Sequence, residues 1–338
     1  MYNFQHDYAE GAHPDILKKL VETNLVQQVG YGEDEYSLQA KTLIRQKVKN
    51  DKAAIYFVSG GTQANLMVIS ALLKTHEGVI SAETGHISSN ETGAIEAVGH
   101  KVMTIQTADG KLAPEHIQKV QKVYSKRPHV LKPKMVYISN STEIGTIYSK
   151  AELTALSAYC RANGLILFLD GARLGSALTA KENDLTLPEI SALTDVFYIG
   201  GTKNGALLGE AIVFNDPELA PEFDYVVKQK GAMLAKGRLL GIQFLELFKG
   251  ELFLELAQHA NDMATMLAEG MSKKGVDFYM KHESNQLFPI LSNERLNRLR
   301  NNFLFHDWVE IDEQHTAIRL VTSWATLEEE VVAFLEEL

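Results

Sequence analysis

The sequence predicts an α/β fold in which a mixed, mostly parallel sheet is sandwiched between helices and a smaller C-terminal α+β domain follows. In the first two thirds of the chain, short apolar segments alternate with helix-like ones. Two apolar segments, residues 165–169 and 196–199, have no polar interruption, which is typical of strands covered on both faces. After residue 238 the pattern changes to long helices and then short strands. We therefore expect a large domain with an N-terminal arm over residues 1–245 and a small domain over residues 246–338.

Composition and charge argue against several classes of protein. The 338 residues are 45% hydrophobic and 22% charged, as in ordinary globular proteins, and the formal net charge is −10. Nucleic-acid and anionic-membrane surfaces need concentrated positive charge, so neither partner is expected. The single cysteine, Cys160, lies in a helix-like segment and is expected to be a buried apolar residue. The N-terminal segment lacks a signal-peptide pattern and no apolar run approaches about 18 residues, which predicts a cytoplasmic protein.

The helices and strands of the large domain can be placed in chain order. Pro14 suits the first turn of a helix that ends near residue 24, and a second helix is expected over 36–48. The loop between them begins a GxG pattern, but Glu35 stands where a dinucleotide site needs glycine. The alternation then predicts strands at 53–58, 79–82, 102–106, 135–139, 165–169, 196–199 and 210–214, and helices at 66–73, after 89, at 114–124 and at 151–162.

The strand at 210–214 follows its predecessor after a short loop, so we expect the two to be antiparallel. In the C-terminal unit, Thr326 and Glu329 have the spacing of a capping box, which predicts the start of the final helix. The remaining patterns of this unit predict helices at 239–248, 252–271 and 293–299, and strands near 276–280, 287–291, 303–309 and 315–322.

Two strand ends carry residues that suit one cofactor. Asp170 ends the 165–169 strand, and Lys203 follows the 196–199 strand after two glycines. Ligands of open α/β sheets bind at the carboxyl ends of the strands. A lysine in a partly dry pocket is available as a neutral amine that attacks aldehydes. An amine for the aldehyde and a carboxylate for the pyridinium nitrogen are what pyridoxal phosphate requires, so the pair predicts this cofactor. Taken singly, Lys203 would be a solvated loop charge and Asp170 a helix N-cap.

A phosphate cradle is predicted between a strand and a helix at residues 59–65. Gly60, Gly61 and Thr62 stand where backbone N–H groups and a hydroxyl would meet an anion at the start of the helix. No GK[ST] pattern follows, so a monoester phosphate fits better than a triphosphate. The alternative is a simple strand-to-helix turn with Thr62 as its N-cap.

His86 and Arg319 are further candidates. His86 follows the 79–82 strand at the same edge of the sheet, where an imidazole could lie flat on a bound ring and exchange protons. The alternative is that His86 is a loop histidine with a structural role. Arg319 would suit capture of a substrate carboxylate, or would lie on the wet face of its strand. The sequence has neither the HExxH pattern of a zinc protease nor a GxSxG elbow, so no metal is expected.

Four motifs in order resemble those of a known family: SGGTQAN at 59–65, ETGH at 83–86, LDGARL at 169–174 and GGTKNG at 200–205. With YGED at 31–34, they are similar to motifs of the threonine aldolases, also called the β-eliminating lyase family. This family lies within the fold type I enzymes of pyridoxal phosphate, the aspartate aminotransferase superfamily. The resemblance spans nearly the whole chain. It implies cleavage of threonine or allo-threonine to glycine and an aldehyde.

The resemblance also implies roles for the matching residues. Lys203 would bind the cofactor covalently, and Asp170 would keep the pyridinium nitrogen protonated. His86 would stack on the ring and act as the base. The phosphate would be held by Gly60, Gly61 and Thr62.

Substrate and subunit contacts are implied as well. Arg173 would contact the cofactor and, together with Arg319, the substrate carboxylate. The resemblance implies a homodimer or homotetramer with shared active sites, in which Tyr31 would contact the substrate of a neighbouring subunit. Residues 139–146 depart from the family because they lack its second active-site histidine, and residues 6–11 replace a serine-containing segment. These departures leave the substrate preference and the proton-transfer group open.

Two other interpretations stay open at this stage. Another reaction of the same cofactor, such as β-elimination, racemisation or transamination, would need much the same residues. A phosphate-ligand binding protein without turnover would need the cradle alone.

Overall fold

The computed structural model describes residues 1–338. Its strands are β1 (Tyr2–Asn3), β2 (Ala54–Val58), β3 (Glu77–Ala82), β4 (Val102–Ile105), β5 (Lys132–Ser139), β6 (Ile166–Asp170), β7 (Val196–Gly200), β8 (Glu210–Phe214), β9 (Gln286–Leu287), β10 (Ile290–Ser292), β11 (Phe303–Leu304), β12 (His306–Glu310) and β13 (His315–Val321). Its helices are α1 (Pro14–Glu22), α2 (Glu35–Val48), α3 (Gly61–Leu72), α4 (His86–Ser89), α5 (Ala94–Ala97), α6 (Pro114–Val123), α7 (Lys150–Ala162), α8 (Leu174–Leu178), α9 (Leu187–Leu193), α10 (Phe223–Gln229), α11 (Arg238–Phe248), α12 (Leu252–Lys273), α13 (Asn293–Leu299) and α14 (Glu328–Glu337).

The large sheet has the strand order β2-β8-β7-β6-β5-β3-β4. Strands β7, β6, β5, β3 and β4 are parallel, whereas β8 is antiparallel to both of its neighbours, β7 and β2. The predicted mixed, mostly parallel sheet is confirmed, and so is the antiparallel pairing of the 210–214 strand. The carboxyl ends of β5, β6 and β7 therefore lie at one edge of the sheet, together with the first residue of β8.

Apolar residues on the two faces of this sheet form separate cores. Along β6, Leu167 and Leu169 pack into one core, whereas Ile166 and Phe168 pack into the other. Because helices cover both faces, the strand has no polar position until Asp170. A fully buried side chain of this size gains about 2 kcal/mol from leaving water, so β6 is a firm support for the residue at its end.

Local signals set several helix boundaries. Helix α7 begins with a capping box in which Ser149 Oγ accepts from Glu152 N and Glu152 Oε2 accepts from Ser149 N, the latter at 2.8 Å. Asp34 caps α2 by accepting from Ser37 N at 2.8 Å. No helix of the protein is both long enough and apolar enough to cross a membrane.

The C-terminal unit has its own small sheet, in which β13 pairs with β10, β12 and β9. Its core includes Leu267 and Met271 of α12 and Phe334 of α14. The N terminus joins this core, because Phe4 is fully buried within it and β1 pairs in parallel with β11. At its start, α12 packs Phe253 into a core of the large sheet. The division at residues 245 and 246 stays a prediction.

Three local predictions are wrong. Thr326 does not cap the final helix, because its Oγ1 accepts from Ser323 N at 2.7 Å and α14 begins at Glu328 without a side-chain cap. The segment 276–280 forms no strand, and only Phe278 makes an isolated bridge. Helix α3 begins at Gly61, five residues earlier than predicted, because Gly60 is its N-cap and residues 61–65 already belong to the helix.

Candidate active site

A cavity of about 250 Å³ opens at the edge where the parallel strands of the large sheet end. The carboxyl ends of adjacent parallel strands face the same crevice, which is why residues distant in sequence meet there. The structure brings together seven of the nine predicted site residues, and all seven line this cavity: Gly60, Gly61, Thr62, His86, Asp170, Arg173 and Lys203. Their roles stay predictions.

Two glycines allow the ends of β6 and β7 to touch. A Cβ atom on Gly171 would lie 1.9 Å from the carbonyl oxygen of Tyr198, and one on Gly200 would lie 2.4 Å from that of Ala172. Gly200 N instead donates to Gly171 O at 2.9 Å. Side chains at these positions would force the strands apart, so glycine is required for the close approach. This approach places the loop that carries Lys203 beside the end of β6.

Asp170 is buried, and three donors fix its carboxylate. Oδ2 accepts from the Tyr137 hydroxyl at 2.5 Å and from Asn65 Nδ2 at 3.1 Å, and Oδ1 accepts from Ala172 N at 3.0 Å. Burial and the charge of Asp170 hold the pKa of Tyr137 and of Tyr198 well above the ordinary range. The Tyr137 hydroxyl therefore keeps its proton and donates to Asp170.

Lys203 lies in the loop between β7 and β8, after the close approach of the two strands, and lines the crevice. Burial lowers the pKa of its amine, and the charge of Arg173 lowers it further. The carboxylates of Asp7, Asp170 and Glu210 oppose this effect without cancelling it. A lowered pKa increases the share of neutral amine, which is the nucleophilic form.

The predicted cradle consists of the start of α3. Gly60 is the N-cap and Thr62 lies in the first turn, so the alternative with Thr62 as the N-cap is wrong. The first N–H groups of a helix have no partner within it and attract anions. A Cβ atom on Gly60 would meet no atom within 4 Å, which leaves open space beside these donors. Ser59 closes the turn by donating from N and Oγ to Gln63 Oε1, at 3.0 and 2.9 Å.

His86 is the first residue of α4, not part of a loop. Its Nδ1 lies 2.9 Å from Glu91 Oε1, and its backbone N donates to Glu143 Oε1 at 2.8 Å. The ring is about one-third exposed and lines the cavity, so one side of it can meet a ligand.

Arg173 is held by Asp7, a residue that sequence reasoning did not select. Arg173 Nε donates to Asp7 Oδ2 at 2.6 Å and Nη2 donates to Oδ1 at 3.0 Å, while Asn285 Nδ2 also donates to Oδ2 at 3.0 Å. Burial alone would raise the pKa of Asp7, but the charges of Arg173 and Lys203 lower it to about 2. The pair orients Arg173 and leaves its Nη1 group for a ligand.

Arg319 and Tyr31 do not line the cavity. Arg319 donates from Nε and Nη2 to Gln286 Oε1, at 3.1 and 2.9 Å. Burial, together with the charge of Arg173, lowers the pKa of Arg319 to about 10, so Arg319 stays charged at neutral pH. Tyr31 is exposed on the surface with its ring beneath Lys228 Nζ, 4.6 Å from the ring centre.

Two glutamates that line the cavity were not predicted from the sequence. Glu143 lies in the segment that lacks the second histidine, and Ser139 Oγ donates to its Oε1 at 2.7 Å. Burial and the charge of Asp170 raise the pKa of Glu143. Glu210 begins β8, and burial raises its pKa to about 8. The only signal for Glu210 in the sequence is a charged residue at the head of an otherwise apolar strand.

Known proteins share the sequence pattern and the fold of this chain. A threonine aldolase from Leishmania major has a solved structure that superposes with a TM-score of 0.98 at 46% identity, covering 99% of this chain and 98% of that one. The low specificity L-threonine aldolase of Pseudomonas aeruginosa is 33% identical over 96% of this chain and 93% of its own. The aspartate aminotransferase of Thermus thermophilus is only 14% identical, with a TM-score of 0.72 over 100% of this chain and 90% of that one.

The chain therefore has the fold of the type I enzymes of pyridoxal phosphate, with a lysine and an aspartate at the strand ends. It belongs to the β-eliminating lyase family, whose model matches residues 11–326.

The residues around the cavity fit this cofactor. Lys203 offers an amine with a lowered pKa, and Asp170 offers a carboxylate whose position is fixed by three donors. The start of α3 offers unpaired N–H groups beside open space at Gly60. An aldehyde, a pyridine nitrogen and a phosphate require these three kinds of group.

Proposed function

We propose that this protein uses pyridoxal 5′-phosphate to cleave β-hydroxy-α-amino acids, L-threonine and L-allo-threonine among them, to glycine and an aldehyde. The observation that carries the proposal is the meeting of Lys203, Asp170 and the start of α3 around one cavity. Family membership and the names of the relatives from Leishmania major and Pseudomonas aeruginosa support it.

When bound, pyridoxal phosphate supplies an aldehyde that links to amines and a pyridinium ring that takes up the electron pair of the broken Cα–Cβ bond. Lys203 Nζ would hold the cofactor and yield its place to the substrate amine. Asp170 would face the ring nitrogen and keep it protonated, since its carboxylate is oriented by Tyr137, Asn65 and the Ala172 N–H group. Gly60, Gly61 and Thr62 would bind the phosphate.

Substrate orientation would depend on the two arginines. A bond breaks most readily when it stands perpendicular to the cofactor ring, so rotation about the Cα–N bond decides which bond is cleaved. Arg173 lines the cavity and Arg319 does not. Each has two donor groups engaged, Arg173 by Asp7 and Arg319 by Gln286, and the Nη1 group of each would bind the substrate carboxylate. Holding the carboxylate fixes that rotation with little loss of entropy at the moment of reaction.

Removal of the β-hydroxyl proton would be the task of His86. Its Nδ1 is occupied by Glu91, so Nε2 is the nitrogen left to accept a proton, directly or through a water. Replacement of His86 by asparagine should therefore reduce threonine cleavage, and unchanged cleavage would exclude this role.

Products and cofactor absorbance test the proposal. Purified protein is incubated with pyridoxal phosphate and each threonine diastereomer, and glycine and acetaldehyde are measured beside 2-oxobutanoate and ammonia. We expect glycine and acetaldehyde in equal amounts. 2-Oxobutanoate and ammonia, the products of β-elimination from threonine, would instead indicate another reaction of the cofactor. Lys203→Ala should remove the visible absorbance of the bound cofactor, and a wild-type protein that never gains this absorbance would refute the proposal.

We further propose that the chain divides into a large domain over 1–245 and a small one over 246–338. It works in the cytoplasm as a homodimer or homotetramer in which Tyr31 reaches the active site of a neighbouring subunit. Exposed apolar side chains near Tyr31 in sequence support such an interface: Val21, Leu25 and Val29 are 77%, 92% and 68% exposed.

A further inference from the structure

A chain of hydrogen bonds runs behind the cavity from His86 to Asp170. His86 Nδ1 lies 2.9 Å from Glu91 Oε1, and the same oxygen accepts from Asn65 Nδ2 at 2.7 Å. Asn65 Nδ2 also lies 3.1 Å from Asp170 Oδ2. The side chain of Glu91 is completely buried, as is Asn65, and neither residue lines the cavity. Any effect of Glu91 on a reaction in the cavity must therefore act through His86 or Asp170.

The donors set the direction of these hydrogen bonds. An amide nitrogen only donates, so Glu91 Oε1 and Asp170 Oδ2 are acceptors toward Asn65 Nδ2, and the His86 Nδ1 that shares Glu91 Oε1 carries a proton. Nε2 is then the nitrogen of the neutral ring with a free electron pair. A carboxylate that holds histidine by Nδ1 and leaves Nε2 free is the arrangement used where histidine acts as a general base.

Two buried acceptors in this group lack a donor. Asn65 Oδ1 and Glu91 Oε2 have no hydrogen-bond partner. Unpaired buried acceptors destabilise a fold, and apolar side chains would fill the same space without this cost. Packing therefore does not account for a carboxylate at this position. Local departures of this kind are typical of functional sites.

We infer that Glu91 is a positioning residue of the reaction, which holds His86 with its proton on Nδ1 and Nε2 free, and that Asn65 ties this pair to Asp170. The inference rests on the proposed function, in which His86 takes the proton of the β-hydroxyl group. The proton moves from the substrate oxygen to Nε2, and Glu91 gains or loses no bond.

The tautomer of His86 tests the inference without any reaction. Nitrogen-15 NMR of the imidazole distinguishes the Nδ1–H from the Nε2–H form, and the signal that is missing in His86→Asn identifies the residue. We expect the Nδ1–H form in the wild type and a gain of the Nε2–H form in Glu91→Leu, which removes both oxygens. A wild type in the Nε2–H form, or a tautomer unaffected by Glu91→Leu, would overturn the inference.

A kinetic cycle tests whether Glu91 acts through His86 and does not depend on Glu91→Leu folding well. Glu91→Gln keeps the shape of the side chain and should reduce kcat for threonine by about 10-fold to 100-fold. In the His86→Asn background, the same change should alter kcat by less than about 2-fold. A merely structural role would reduce kcat by the same factor in both backgrounds, and that result would contradict the inference. Glu96→Gln, an exposed glutamate of the same segment, is the matched control.

A failure of this inference can be distinguished from a failure of the proposed function. A protein that neither binds pyridoxal phosphate nor cleaves threonine would refute the proposed function, whereas the tautomer of His86 is measured on the cofactor-free protein. A wild-type Nδ1–H form that depends on Glu91 would then still support the hydrogen-bonded pair.

Discussion

The pair of Asp7 and Arg173 should make stability depend on acid pH. The pKa of Asp7 falls from an ordinary 3.8 to about 2 in the folded protein, because the charge of Arg173 and the donors around it outweigh burial. At 1.36 kcal/mol per pKa unit, this corresponds to about 2 kcal/mol of stability. A carboxyl with a depressed pKa contributes this stability above its unfolded value, so it is lost as the pH falls from about 4 to about 2.

Asp7→Asn removes this contribution and places an amide against Arg173. At pH 7 we expect the variant to be less stable by about 3 kcal/mol, because breaking one side of a buried ion pair leaves the guanidinium without its counter-charge. The difference from the wild type should shrink by about 1 kcal/mol at pH 3, where half of the linkage has been lost.

Urea unfolding of the cofactor-free protein at pH 7 and pH 3, in sulfate-containing buffer that keeps it folded at low pH, measures both differences. Asp15→Asn is the control, because Asp15 is exposed and its side chain makes only a long contact with His13. A variant within about 0.5 kcal/mol of the wild type at pH 7, or a difference that does not change with pH, would refute the reasoning.

Two other perturbations follow from the same site. The pKa of Glu210 is raised to about 8, so the folded protein loses stability as the pH rises from about 4.5 to about 8. Glu210→Gln should therefore raise the thermal midpoint of the cofactor-free protein more at pH 8 than at pH 5, and an equal effect at the two pH values would contradict this reasoning. Gly171→Ala should destabilise the protein by about 3 kcal/mol, because the new Cβ atom would lie 1.9 Å from the carbonyl oxygen of Tyr198. In Gly60→Ala the new Cβ atom meets no protein atom within 4 Å, so this variant should keep the thermal midpoint of the wild type and bind the cofactor more weakly in an absorbance titration.

The residues that could be predicted from the sequence share one property: each follows directly from a strand or opens a helix. Asp170 ends an unbroken apolar strand, and Lys203 follows the next one, so parallel pairing alone brings them to one edge. The centre of the mixed sheet was predictable for the same reason, since β6 and β7 are buried and have no charged residue before their last position.

Contacts between distant segments could not be predicted. Asp7 meets Arg173 across 166 residues of sequence, and Asn65 meets Asp170 across 105. Such pairs depend on how the N-terminal arm and α3 pack, and no local pattern records that packing. Thr326 shows that a local pattern can also mislead. Its spacing to Glu329 suggests a capping box, but its hydroxyl oxygen accepts from Ser323 N in a turn before the helix.

Positive groups lie on two sides of the cavity, which suits a ligand that carries an anionic group at each end. Burial raises the pKa of Glu143, and it raises the pKa of Glu210 to about 8, which reduces the negative charge of Glu210 at neutral pH. Arg319 keeps its charge with a pKa of about 10. Asp7 is engaged by Arg173, so it orients one arginine and does not neutralise both. On the other side of the cavity, the start of α3 adds the positive end of a helix. The net charge of −10 gives no indication of this, because exposed acids set the total while a ligand responds to the few groups that line its site.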